Sequence, residues 1–241
     1  MVGGVGHTDI EYVLNPDGTR GYAWNPVTGC AHTLAECACA DQCWAQAMAK
    51  RFGARWGESP DFAPEVHVER FGQPFPRKPA TIAVCFRGDL WGDWADPALQ
   101  RRVVRLACIG AEHTFLVLTK VPQNYGHIAD WPANAWVGAS VTDPASLDRA
   151  IQAFAGIAHP HKWLSLEPML APLPGLSART LTAVSIRWVV IGALAPGRMT
   201  QREWVEAVVR ACDEVGIPVW LKCNLRPVVT DRQYLRQEVP W

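Results

Sequence analysis

The sequence predicts an α/β fold, a complete or partial (β/α) barrel with parallel strands. Short apolar runs rich in β-forming residues recur along the chain and alternate with helical or loop segments. Most of these runs lack polar alternation, which is typical of parallel strands that are buried on both faces. A doubly wound open sheet is the alternative, but no G-x-G-x-x-G motif follows any of the strands.

Seven strands are predicted, one before a group of cysteines and six after it. Barrel enzymes place their chemistry at the carboxyl ends of the strands, so polar residues at those ends become candidates for a site. The strands are Tyr22–Trp24, Ile82–Phe86, Phe115–Leu118, Trp136–Val141, Trp163–Leu166, Trp188–Ile191 and Val219–Leu221.

Three of the intervening helices have end signals in the sequence. Residues 96–110 begin with an Asp-Pro pair, a favoured N-cap and first helical residue, and end at a glycine. Asp143 begins a second helix that runs through Phe154. Thr200 and Glu203 form a capping-box pattern before a third.

Length and composition indicate one domain in the reducing interior of the cell. Residues 1–223 are expected to form the domain, with a cluster-binding loop at residues 24–51, and residues 224–241 form a polar tail. No apolar run approaches the roughly 18 residues of a membrane-spanning helix, and residues 1–6 lack the features of a signal peptide. We therefore expect a cytoplasmic protein that does not bind membranes. Because 23 basic residues balance 23 acidic ones, the net charge gives no support to nucleic-acid binding.

Four of the eight cysteines lie within fourteen residues, at Cys30, Cys37, Cys39 and Cys43. They occupy a loop punctuated by glycine and proline, where metal ligation explains them better than burial. The other four lie in apolar runs, and three of them are expected in the core as small hydrophobic residues. These three are Cys85, Cys108 and Cys212.

The spacing of the clustered cysteines favours an iron–sulfur cluster over structural zinc. Structural zinc sites usually contain C-x-x-C pairs, but the intervals here are six, one and three residues. Three thiolates suit a cubane cluster with one open iron. We expect Cys30, Cys39 and Cys43 as ligands, with Cys37 as the alternative middle ligand.

Several segments resemble the phage-associated three-cysteine-motif proteins, a bacterial and phage group related to radical S-adenosylmethionine enzymes. The resemblance begins with the WNPVTGC segment at residues 24–30 and the CWAQAMAKR segment at residues 43–51. The loop between them is longer than the usual compact radical motif, which leaves the middle ligand open. The downstream segments, in the family's order, are Glu69-Arg70, Gln73-Pro74, Gly88–Leu90, His113–Lys120, Trp136–Val141, Leu164–Pro168 and Val190–Gly192.

The resemblance implies a radical S-adenosylmethionine enzyme with two cofactors, a [4Fe–4S] cluster and S-adenosyl-L-methionine. An external one-electron donor would reduce the cluster, and a 5′-deoxyadenosyl radical would then modify an unidentified substrate. Nucleic acid is one candidate substrate, although the net charge does not support it. The alternative function is a non-catalytic zinc-binding module for partner recognition.

The resemblance also implies roles for residues at the strand ends. Gly88 and Asp89 are expected near the methionyl amino group, and Ser140 and Asp143 near the ribose. Asp89 is equally suited to cap a helix, and for Asp143 a helix cap is the stronger alternative. Gly192 would let adenine approach the backbone.

Three further strand-end residues are candidates for catalysis. Glu167 ends a buried strand and is predicted both as a catalytic and as a cofactor-binding residue. Lys120 and Lys222 also follow strands, where each would contact a substrate or form a structural ion pair. His32, beside Cys30, would tune the cluster or serve only as a loop residue.

Overall fold

A computed structural model of the chain describes residues 5–32, 37, 42–194, 200–229 and 235–241. The chain divides into two compact units, residues 1–136 and residues 137–241. Eight strands belong to a mostly parallel sheet, flanked in sequence by helices. This arrangement confirms the predicted α/β fold with parallel strands.

The first unit carries the beginning of the sheet and a separate two-stranded sheet. Strands β2, β5 and β6 are parallel neighbours in that order, and β1 pairs antiparallel with β2 at the edge. The separate sheet pairs β3 with β4. The elements are β1 Gly6–His7, β2 Tyr22–Trp24, β3 Val27–Thr28, α1 Trp44–Trp56, β4 Glu65–Val66, β5 Thr81–Val84, α2 Pro97–Ile109 and β6 Thr114–Thr119.

The second unit contains four parallel strands in sequence order, the first of which begins at the boundary between the units. Leu166 and Leu221 are both aligned with Ile191, so the residues that follow these three strands lie at the same edge. The elements are β7 Ala135–Ser140, α3 Pro144–Ala155, β8 Lys162–Leu166, α4 Ala178–Ala183, β9 Ile186–Ile191, α5 Arg202–Asp213 and β10 Val219–Leu221.

Tryptophans form part of the core in both units, as the sequence indicates. Trp24 and Trp91 are buried in the first unit, and Trp163 and Trp188 in the second, where their rings are 5.2 Å apart. Gly138 makes room for this pair, because a Cβ atom there would lie 2.3 Å from the Trp163 indole. Burial of such large apolar rings is a main source of folding free energy.

Two of the three predicted helix starts are confirmed. Asp96 caps α2 by accepting from the Ala98 amide at 2.7 Å, and Asp143 caps α3 in a capping box with Ser146. The predicted capping box of the third helix is wrong. The hydroxyl of Thr200 instead donates to the Met169 carbonyl, so α5 begins at Arg202 without a side-chain cap.

The scattered cysteines behave differently from one another. Cys85 and Cys212 are buried as predicted, and burial raises the pKa of each thiol to about 12. The expectation that Cys108 lies in the core is wrong, because α2 buries Val104 and Ala107 and leaves Cys108 exposed.

The described end of the tail belongs to the second unit and packs beside its last strand. The Leu221 amide donates to the Arg236 carbonyl at 2.7 Å, and the Trp188 indole donates to the Glu238 carbonyl at 2.9 Å. Residues 236–238 therefore run beside β10. No helix in the described ranges is both long enough and apolar enough to cross a membrane.

Candidate functional site

Cys30 and Cys43 lie on the same side of the first unit. Cys30 follows β3, and its amide donates to the Phe62 carbonyl at 3.0 Å. Cys43 is the N-cap residue of α1. Both are free, half-buried thiols that pack against one apolar group made of Ala45, Ala49 and Phe62. The structure thus brings together two of the three predicted cluster ligands.

The middle of the cysteine loop is only partly described. Cys37, the alternative ligand, is buried. The predicted ligand Cys39 lies outside the described residues. Within the described ranges, no group of three or more His, Cys, Asp or Glu side chains is placed to hold a metal ion. The assignment of Cys39 as middle ligand stays a prediction.

A close contact between two glycines positions Cys30 beside the main sheet. Gly29 and Gly88 form a bridge between their backbones, and Gly29 has a φ of 79°. A Cβ atom on Gly88 would lie 2.4 Å from the Gly29 carbonyl oxygen, and one on Gly29 would lie 2.1 Å from the Ala63 oxygen. Only glycine fits such an approach without displacing backbone. Gly88 therefore has a structural role beside its predicted cofactor role.

Asp89 is buried directly after this contact. Its carboxylate accepts hydrogen bonds from the Thr119 hydroxyl at 2.8 Å and from the backbone amides of Lys120 and Trp91, each at 3.0 Å. The His32 ring nitrogen Nε2 donates to the same carboxylate at 2.8 Å. Asp89 thus joins the cysteine loop to the carboxyl end of β6.

His32 lies between Asp89 and Cys30. Its side chain is only 5% exposed, and its backbone amide donates to the Cys30 sulfur at 3.4 Å. Burial opposes the charged imidazolium, but hydrogen bonds with Asp89 and Cys30 outweigh it and raise the pKa of His32 to about 10. Burial likewise opposes the Asp89 carboxylate, but the hydrogen bond and charge of His32 hold the pKa of Asp89 below its usual value.

A buried ion network anchors the far end of α1. The Arg70 side chain is fully buried and donates to Glu58 at 2.9 Å, to the Trp56 carbonyl at 2.8 Å and to the Asn25 carbonyl at 2.9 Å. Arg87 also donates to Glu58. The network ties the C-terminal end of α1 to the segment that leads into the cysteine loop.

Three predicted residues of the second unit meet at the carboxyl ends of β8, β9 and β10. Lys222 donates to Glu167, and each side chain is about one fifth exposed. Gly192 lies between them, since a Cβ atom there would be 2.9 Å from Glu167 Cγ and 3.1 Å from Lys222 Cδ. The pair presents one carboxylate and one ammonium group at a strand edge.

Ser140 and Asp143 lie at the end of β7, also in the second unit. Ser140 is buried and aligned with Ser165. The Asp143 carboxylate accepts from the Ser146 amide at 2.8 Å, so the alternative of a helix cap is realised. Burial opposes this carboxylate, but the hydrogen bonds from Ser146 and Thr142 lower the pKa of Asp143. Its predicted contact with ribose stays a prediction.

Sequence reasoning missed two polar residues at strand ends. Thr119 ends β6 and donates to Asp89, whereas the prediction named only its neighbour Lys120. Asn224 bonds both the amide and the carbonyl of Ala193, at 3.1 and 2.7 Å. The rule that polar residues after apolar strands are candidates would have found both.

The chain is similar in fold to solved structures of spore photoproduct lyase. The complex with dinucleoside spore photoproduct is 12% identical, with a TM-score of 0.45, and the match covers 97% of this chain and 67% of that one. A variant with bound AdoMet and dinucleoside spore photoproduct is also 12% identical, with a TM-score of 0.45 and coverage of 98% and 67%. At this level of likeness, the fold assignment rests on the strand pairing described above.

No curated protein sequence matches the chain. The resemblance to the phage-associated three-cysteine-motif proteins stays a prediction. A family match exists over residues 8–226, which include most of each unit, the cysteine loop and every strand-end residue discussed here. The chain therefore belongs to the family described as "Protein of unknown function (DUF5131)".

Proposed function

We propose that this protein is a radical S-adenosylmethionine enzyme whose [4Fe–4S] cluster is bound in the first unit. The observation that carries the proposal is the placement of Cys30 and Cys43, thirteen positions apart in sequence, against the same apolar group. Two free thiols next to the carboxyl end of a parallel sheet fit the location at which β/α enzymes perform chemistry.

The donor set fits an iron–sulfur cluster. Thiolates are the usual cluster ligands, and a third is supplied by Cys39 or, as the alternative, by Cys37. Cys43 caps α1 without a side-chain hydrogen bond, and no acidic residue occupies the first turn. The unpaired backbone amides of that turn favour negative charge, so they support an anionic sulfur at this position.

When bound, the cluster and S-adenosylmethionine supply a 5′-deoxyadenosyl radical that abstracts hydrogen from a substrate, after an external donor provides one electron. The chain's own residues hold the cysteine loop: the Gly29–Gly88 contact sets its approach to the sheet, and Asp89 bonds it to β6. Apolar neighbours limit the access of water to the two thiols.

Roles toward S-adenosylmethionine and the substrate are also part of the proposal. Cofactor contacts are proposed at Gly88, Asp89, Ser140, Asp143, Glu167 and Gly192, and catalytic roles at Glu167, Lys120 and Lys222. The ion pair of Glu167 and Lys222 supports a polar role at that edge. Because both side chains are partly exposed, either one can leave the other and bind a polar ligand. The substrate class is not assigned, and nucleic acid is one candidate.

Anaerobic reconstitution tests the proposal. We expect the purified protein to bind four irons and four sulfides, as a [4Fe–4S] cluster requires, and to convert S-adenosylmethionine to 5′-deoxyadenosine when reduced. Cys43→Ala should lose the cluster, whereas Cys108→Ala, an exposed thiol on α2, should retain it. A colourless protein that binds zinc through the same cysteines would instead support the zinc-module alternative.

The middle ligand is tested by a matched pair of variants. Cys39→Ala should lose the cluster and the cleavage of S-adenosylmethionine, while Cys37→Ala should keep both. The pair controls for a general requirement for thiols in this loop. The reverse result would assign Cys37 as the ligand and leave the enzyme class unchanged.

A further inference from the structure

The Asp89 carboxylate is committed to contacts inside the protein. Both oxygens accept hydrogen bonds, and the donors come from the cysteine loop, from the end of β6 and from the turn after Asp89 itself. The residue is only 5% exposed. A buried carboxylate with this many donors has a fixed position, because moving it would leave several polar groups unpaired.

His32 links the fixed Asp89 carboxylate to the sulfur of Cys30. Its ring is bound to Asp89 at 2.8 Å, while its backbone amide donates to Cys30 Sγ at 3.4 Å. The ring and the amide belong to one residue, so anchoring the ring restricts where the amide points. Because sulfur is larger than oxygen, hydrogen bonds to sulfur are longer, and 3.4 Å is short enough for one.

We propose that Asp89 is a positioning residue that, through His32, holds an amide donor on Cys30 and so raises the reduction potential of the cluster. The inference rests on the proposed function, since it concerns the sulfur of a proposed cluster ligand. Hydrogen bonds to cluster sulfurs stabilise the reduced form, which carries one more negative charge.

The direction in which Asp89→Asn shifts the reduction potential distinguishes a positioning role of Asp89 from an effect of its charge. By electrostatics alone, loss of the negative charge of Asp89 would raise the potential of the cluster or, where His32 gives up its proton at the same time, leave the potential unchanged. Releasing His32 would weaken the amide bond to Cys30 and lower the potential. A shift to more negative potential in Asp89→Asn therefore identifies the positioning role.

The experiment measures the midpoint potential and the electron paramagnetic resonance spectrum of reconstituted wild type, Asp89→Asn, His32→Leu and their double variant. We expect both single variants to have a more negative potential and the double variant to shift no further than the larger single shift, because both act on one contact. His32→Gln loses the same ring charge as His32→Leu but keeps a side-chain donor for Asp89, so a potential closer to wild type than that of His32→Leu assigns the shift to positioning and not to charge. Iron and sulfide contents show that the cluster is present.

Thr119→Val is the milder variant, in case Asp89→Asn fails to assemble a cluster. It removes one hydroxyl donor from Asp89 without contacting Cys30, so we expect a smaller shift of the same sign. Unchanged potentials in His32→Leu and Thr119→Val, or an unchanged or higher potential in Asp89→Asn, would overturn this inference and leave the proposed function standing. A wild-type protein that binds no iron and sulfide would overturn the proposed function and this inference with it.

Discussion

Glu167 and Lys222 place one carboxylate and one ammonium group at the carboxyl edge of three strands. Each side chain is about one fifth exposed, so a polar ligand can still reach the pair. Gly192 leaves space beside both side chains, because a Cβ atom there would meet them. The pair is therefore a candidate for a contact with a polar ligand.

Gly88 is the single residue on which the approach of the cysteine loop depends most directly. In Gly88→Ala the new methyl group would lie 2.4 Å from the Gly29 oxygen and 2.8 Å from the Gly29 nitrogen, so backbone has to move. We expect a loss of about 1–3 kcal/mol in the free energy of unfolding, typical of overpacking, together with weaker cluster binding. Urea unfolding of the apoprotein measures the first effect and iron content the second.

Gly72→Ala is the matched control, because nothing lies within 4 Å of a Cβ atom at that position. Its stability should stay within about 0.5 kcal/mol of wild type. Equal stability of the two variants would show that the Gly29–Gly88 contact adjusts without cost.

Arg70 anchors helix α1 at its C-terminal end. Among the described residues, Arg70→Met would leave Arg87 as the partner of the Glu58 carboxylate and two backbone carbonyls without this donor. Because Arg87 still compensates the Glu58 charge, we expect the loss to come from the buried acceptors that Arg70 no longer satisfies, about 1–3 kcal/mol for each. Chemical denaturation should show this loss.

Arg202→Met provides the comparison at the surface. Arg202 pairs with Glu206 one turn further along α5, and both side chains are more than 40% exposed. The change should cost at most about 0.5 kcal/mol. If Arg70→Met and Arg202→Met lower the free energy of unfolding by similar amounts, the buried network does not stabilise the fold more than a surface ion pair does.

Helix α3 begins with a cap whose contribution depends on pH. Asp143→Ala should lower the free energy of unfolding at pH 7 by about 1 kcal/mol, because the Ser146 amide loses its acceptor. Since folding lowers the pKa of Asp143 below 3.8, its charge stabilises the fold above that pH and the contribution is lost as the pH falls through the lower, folded value. The difference between wild type and variant should therefore shrink in acid.

Urea unfolding at pH 7 and at about pH 2.5 measures this difference across the range in which the carboxyl group titrates. Asp148→Ala, on the exposed face of the same helix, controls for any change in helix propensity. A difference that is equally large at both pH values would show that Asp143 stabilises α3 without its charge.

The sequence predicts best those elements that are determined by a few neighbouring residues. Val219–Leu221 and the start of α2 at Pro97 match the structure, because apolar runs and an Asp-Pro cap act within a few residues. The predicted strand Ile82–Phe86 ends instead at Val84, because Cys85 adopts a φ of 58°. A cysteine rarely has this backbone conformation, so the sequence does not predict it.

Contacts between residues far apart in the chain could not be predicted from the sequence. Asp89 was predicted from its place after a strand, but its bond to His32 joins residues 57 positions apart. The Glu58 and Arg70 network was missed for the same reason, because charged residues in a Gly- and Pro-rich segment give no sign of burial. The cysteine loop could be predicted as a cluster site because four thiols close in sequence are themselves the signal, and that assignment stays a prediction.

At the scale of the whole molecule, the proposed binding of S-adenosylmethionine is linked to the free energy of unfolding. A ligand that binds only the folded state adds free energy to unfolding according to its concentration relative to its Kd. This linkage gives a test that needs no knowledge of the substrate.

S-adenosylmethionine at about 100 times its Kd should raise the free energy of unfolding of the reconstituted protein by about 2.7 kcal/mol. Anaerobic calorimetry measures this as a higher Tm. The apoprotein and Cys43→Ala should gain little, because the proposed binding site for the cofactor's amino and carboxylate groups is the open iron, whereas reconstituted Cys108→Ala should respond like wild type. Equal stabilisation of apoprotein and holoprotein would show that the cofactor binds without the cluster. If a protein that carries iron and sulfide is not stabilised at all, the radical S-adenosylmethionine assignment is contradicted.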